Sequence, residues 1–186
     1  MVEALRRLHL EHAGMTRVLQ VIESELAKLS HGEAPDFELL GKCLEYLLDF
    51  PAQCHHPKED LIYRRLREYH QVSDKVLDDI VAEHQTLAEK CTRLGDLVER
   101  FHRAGAVTGK EVLRAGRDFL AFHRQHIEHE ERGFFPTALE CLTEDDWAEI
   151  DGRVVDREDP VFGESAEAGF AALREEILRR DRETVG

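Results

Sequence analysis

Eleven histidines stand in this 186-residue chain, and four of them interrupt rows of apolar side chains at helical spacing. His12 falls in the row Leu5, Leu8, Met15, Leu19, Ile22, Leu26; His84 lies between Ile80 and Leu87. His55 follows Leu44, Leu48 and Pro51, and His126 follows Val112 and Phe119. Two of the four have a glutamate one turn on, Glu59 after His55 and Glu130 after His126, so each pair shares a helix face. A lone histidine on an apolar face is ordinarily a hydrogen-bonded core residue. Four such interruptions together with two carboxylates are a different matter, because uncompensated carboxylates in a low-dielectric core cost several kcal/mol. Imidazole and carboxylate both ligate first-row metals, and two glutamates on opposing helices are placed to bridge a pair of ions. Six ligands shared by two metals leave open positions for a small molecule.

The elements that must position these groups are helices. The first row runs unbroken to Leu29, and His31-Gly32-Glu33-Ala34-Pro35-Asp36 ends it, with Asp36 as N-cap of the next. The second row carries Pro51 and Pro57, which predict a bend or break near residues 50–57. A turn at His70–Ser73 leads to the third row, Gly105–Gly109 forms the next turn, Thr108 caps the fourth helix, and Pro136 marks its end. At about 1.5 Å per residue, His12 and His55 lie roughly 27–29 Å from their shared loop, and His84 and His126 roughly 27–30 Å from theirs. The reading is all-α: an antiparallel up-down-up-down four-helix bundle over residues 1–139, with a helical extension over 140–186 packed on it. In the extension, Thr143-x-x-Asp146 is a capping pattern, Asp156–Gly163 is irregular, and a last helix near 165–180 docks through Phe170, Leu173, Ile177 and Leu178.

Some assignments stay open on residue spacing alone. His56/Asp60 repeats the four-residue step one position around the helix and rivals His55/Glu59, although the row through Leu48 and Ile62 favours the latter. His123, one turn before His126, is either a fifth ligand or a hydrogen-bond donor behind the ligands. His9 packs at the bundle end, and His31, His70, His102 and His129 read as solvated, as does Glu83 beside His84. Cys43, Cys54, Cys91 and Cys141 form no C-x-x-C and read as reduced thiols, core packing being the default for the first three.

A formal net charge of −14 argues against nucleic acid as a partner, since phosphate binding needs a concentrated basic face. No apolar run nears the roughly 20 residues that span a bilayer, so no membrane partner is expected. The N-terminal residues lack the apolar stretch of a signal peptide, and a cytoplasmic location is expected.

The motif His55-His56-Pro57-Lys58-Glu59-Asp60-Leu61-Ile62-Tyr63 resembles the His-x-x-x-Glu helix of the hemerythrin-like proteins, the family with the HHE cation-binding domain. His126-Ile127-Glu128-His129-Glu130-Glu131, followed by Phe134-Phe135-Pro136, is similar to the second such motif, and Leu10-Glu11-His12 and Glu83-His84 resemble its single histidines. The resemblance covers about residues 1–139 and implies two iron ions in an oxo- or hydroxo-bridged non-heme di-iron centre. It would place His12 and His55 on one iron, His84 and His126 on the other, and Glu59 and Glu130 between them. Oxygen-carrying members have a further histidine one turn after that of the third helix, where this chain has Ala88. A histidine-rich centre disfavours high-valent iron and favours reversible ligand binding. The expected function is binding of O2 or NO for sensing, storage or detoxification. The alternatives are a di-iron oxidoreductase acting on peroxide or NO, and an iron-responsive interaction module whose contacts involve Trp147 and Phe170.

Overall fold

A computed structural model describes residues 2–69, 74–105, 107–155, 157–164 and 167–185. It is all-helical, with no strand among the described residues. Helix α1 spans Glu3–Ser30 and buries Leu5, Leu8, His12, Met15, Leu19, Ile22 and Leu26. It stops where Gly32 takes φ +80°, which lets Glu33 N–H reach the Lys28 carbonyl and Gly32 N–H the Leu29 carbonyl. Helix α2 (Phe37–Phe50) starts on Asp36, whose carboxylate accepts from Leu39 N–H at 3.0 Å. The expected turn at His70–Ser73 lies outside the described residues.

The bend or break expected near residues 50–57 takes the form of a π-helical turn, Pro51–His55, which continues into α3 (His56–Tyr69). A second π turn, Glu130–Phe134, follows α5 (Gly109–His129) and leads into α6 (Phe135–Cys141), so Pro136 does not end that helix as the sequence had suggested. Both turns have one cause. His56 N–H reaches back five residues to the Pro51 carbonyl and Phe135 N–H to the Glu130 carbonyl, and each donor immediately precedes a proline. Proline has no N–H, and its ring collides with the carbonyl four residues back. One extra residue in the turn relieves the clash without breaking the helix.

Helix α4 (Asp74–Ala104) packs against α2 and α5, and α1 packs against the same two. The apolar interior divides into two clusters. One contains Met15, Leu19, Ile22, Tyr46, Cys91, Leu94 and Phe119; the other contains Leu5, Leu8, Ile62, Leu66, Phe134, Phe135 and Trp147. The polar layer lies between them. His12 comes between Leu8 and Met15, and His84 between Ile80 and Leu87, each pair drawn from the two different clusters.

Beyond α6, Thr143 and Asp146 form a reciprocal cap on α7 (Glu144–Arg153), which packs on α1 and α3. A 3-10 turn, Ala168–Phe170, opens α8 (Ala171–Val185), which packs on α1 and α2, so the last helix begins later than the sequence suggested. Trp147, Ile150, Phe170, Leu173 and Ile177 are buried, but Leu178 is 44% exposed and takes no part in the docking expected of it.

Candidate metal centre

Glu59 and Glu130 are both 0% exposed, and neither has a cation from lysine or arginine at its carboxylate among the ion pairs of the described residues. Their neighbours are imidazole nitrogens. Glu59 Oε1 lies 3.3 Å from His55 Nε2 and its Oε2 3.3 Å from His84 Nε2. Glu130 Oε2 lies 3.2 Å from His12 Nε2, and its Oε1 stands 3.3 Å from His84 Nε2 and 3.2 Å from His126 Nε2. Each carboxylate thus turns one oxygen to the His12/His55 side and the other towards His84 and His126. The structure brings all six sequence-predicted residues into this single layer.

Glu130 Oε1 has hydrogen-bond partners, His84 Nε2 at 3.3 Å and the Tyr63 hydroxyl, which donates at 3.4 Å. The other three carboxylate oxygens, Glu59 Oε1 and Oε2 and Glu130 Oε2, are buried without a hydrogen-bond partner, and His12 Nε2 faces His55 Nε2 at 3.1 Å. The far sides of the rings explain why. His12 Nδ1 donates to Glu131 (2.7 Å), His55 Nδ1 to Glu11 (2.9 Å) and His126 Nδ1 to Glu83 (2.9 Å). An ionised carboxylate only accepts, so these Nδ1 atoms carry the protons and the three Nε2 atoms present lone pairs inward. Glu83 is held below the usual carboxylate range by His126, with His129 adding to the effect. Burial raises Glu11 and Glu131, but the His55 and Lys58 bonds, and those of His12 and His9, outweigh it.

Lone pairs and carboxylate oxygens facing one another at 3.1–3.3 Å repel unless a proton or a cation lies between them. The spacing suits a cation: an octahedral ion with ligand bonds of about 2.1–2.2 Å has ligand–ligand edges of about 3 Å. The ligand atoms of His12, His55, Glu59 and Glu130 all lie within 4.8 Å of one another. Burial and the adjacent Glu130 push the Glu59 carboxyl well above its ordinary range, the direction expected of two carboxyls sharing one dry site without a cation. The donor set therefore fits metal.

Sequence reasoning missed two features. Glu83 is not a solvated face residue, since it bridges His126 Nδ1 and His129 Nδ1. His56 is not merely a rival to His55: His55 and Glu59 are buried, and His56 joins His84 and His126 in a second group whose nitrogens lie within 4.8 Å of one another. Its ring stacks on His84 at 3.7 Å, and burial together with His84 depresses its protonation. Asp60 belongs to neither group among the described residues. His123 is buried but also stands outside both groups. It lines a cavity of about 230 Å³ that opens over the imidazoles, walled by Met15, Leu47, Leu48, Ile127 and, where a further histidine could have stood, Ala88.

Fold and site together define an all-helical protein with a buried histidine–glutamate cation site. Residues 3–138 match the hemerythrin HHE cation binding domain, and the chain belongs to that family. No curated protein and no solved structure matches it. Among the described residues, no helix is long and apolar enough to cross a membrane.

Proposed function

We propose that this chain is a non-heme di-iron protein that binds O2 or NO for sensing, storage or detoxification. His12 and His55 hold one ion and His84 and His126 the other. Glu59 and Glu130 bridge them, and His56 is a further imidazole available on the second side. The carrying observation is that each buried glutamate turns one oxygen towards each set of imidazoles, while carboxylates behind the rings hold three Nε2 lone pairs inward. When bound, such a pair of irons supplies redox electrons and open coordination positions for a small ligand. The chain's own residues fix the donors and exclude bulk water with two apolar clusters.

The same reading takes α1, α2 with α3, α4 and α5 as an up-down-up-down bundle over residues 1–139. It is supported by the closed ring of packing among those helices and the short connection between α1 and α2. Residues 140–186 are an extension on that bundle, and the protein works in the cytoplasm. Mixing the reduced iron-loaded protein with O2 and with NO in a stopped-flow spectrometer tests the function. An optical change with at least one gas is expected, and silence with both would refute it.

The cavity favours a second reading. Its space of about 230 Å³ borders His12, His55, His84 and His126, so a peroxide as well as a diatomic could reach the imidazoles from it. Turnover of peroxide or NO by the same centre would then consume more than one equivalent per site, whereas binding alone stops at one.

A further inference from the structure

One polar side chain of the cavity has no task in this account. His123 is 4% exposed, and its Nδ1 is buried with no hydrogen-bond partner. Three histidines of the centre are treated differently: His12, His55 and His126 each have a carboxylate fixing Nδ1. His123 has none, and its ring stands edge-on to Phe119 at 5.5 Å. Nor do its nitrogens belong to either set of clustered ligand atoms. A buried ring nitrogen without a partner costs stability in a core, so His123 bears a cost at Nδ1 that packing alone does not explain. What it borders is the cavity, whose other walls include Met15, Leu47 and Ala88 and whose floor is the imidazole layer. An apolar chamber with a few convergent polar groups is the usual build of a small-ligand site.

We propose that His123 is the positioning residue of that chamber, hydrogen-bonding the small ligand held there rather than ligating metal. The inference rests on the di-metal reading. A neutral imidazole offers one N–H and one lone pair, so His123 favours ligands with an acceptor atom facing away from the metals, anions such as azide among them. Ala88 supports this division of labour, since its methyl leaves open the volume that the ligand and His123 share.

The test compares iron-loaded wild type with His123→Leu and His123→Gln, measuring iron per chain, the optical spectrum before ligand is added, and azide affinity and dissociation rate. The expected result is unchanged iron content and ligand-free spectrum in both variants. Azide should bind about tenfold more weakly and leave faster in His123→Leu, with partial recovery in His123→Gln. In wild type, the azide stretching frequency should shift between H2O and D2O, a readout that needs no variant to fold. Unaltered azide binding in His123→Leu would overturn the proposal, as would no D2O shift. Loss of iron or a changed ligand-free spectrum in the variants would also overturn it, by making His123 a ligand. Failure of wild type to take up iron refutes the di-metal reading itself, and is seen before azide is added.

Discussion

Three carboxylates outside the metal layer decide which way its imidazoles point. Glu11, Glu83 and Glu131 each accept an Nδ1 proton from a histidine on a different helix, so orientation is settled by neighbours rather than by the ligand's own helix. Glu83→Ala is expected to weaken metal binding about 10–100-fold while leaving the helical fold intact, measured by competition with a chromophoric chelator. Glu59 yields a test of opposite sign. In the metal-free protein its carboxyl is held above the unfolded value, so it stays protonated where the unfolded chain has already ionised. Its contribution to stability is present at low pH and declines as pH rises above about 4. Glu59→Gln removes that penalty. The metal-free variant should therefore resist urea better than metal-free wild type at pH 7, with the gap closing towards pH 4, yet it should fail to load metal normally. The six inward residues were legible in the sequence because each breaks an apolar row. The three outer carboxylates were not, since a residue that reaches across to another helix leaves no period on its own.

At the scale of elements, the caps were readable and the π turns were not. Asp36, Thr108 and Thr143 each accept from a backbone N–H three residues on, as their types and positions implied. Thr108 forms a reciprocal pair with Glu111, and Thr108→Ala should cost about 1 kcal/mol in chemical denaturation while metal content stays the same. Prolines at positions 57 and 136 signalled a disturbance in the two segments that carry a histidine–glutamate pair, but a kink, a stop and a widened turn share that signal. What decides between them is packing on both sides. Cys54 belongs to one apolar cluster and Ile62 to the other, so the helix must continue, and it absorbs proline by adding a residue. The first π turn ends on His55 and the second begins on Glu130, which ties the local widening to the presentation of metal donors.

For the molecule as a whole, the metal layer is the seam between two apolar halves, and α7 and α8 brace those halves from outside. Trp147 on α7 joins the cluster around Phe134 and Phe135, whereas Phe170, Leu173 and Ile177 join the cluster around Tyr46 and Phe119. Trp147 and Phe170 are buried in this packing. Periodicity pointed to the docking of the last helix but placed Leu178 on the wrong side, because Ile177 and Leu178 are adjacent and only one can face inward. A seam containing two buried carboxylates and four imidazoles fits cations, which the hemerythrin HHE family leads one to expect there. The most direct test is iron per chain after anaerobic reconstitution and oxidation, read by elemental analysis together with the optical spectrum. The account predicts two irons per chain and the near-ultraviolet charge-transfer bands of a bridged ferric pair. One iron or none, with a featureless spectrum, would contradict it.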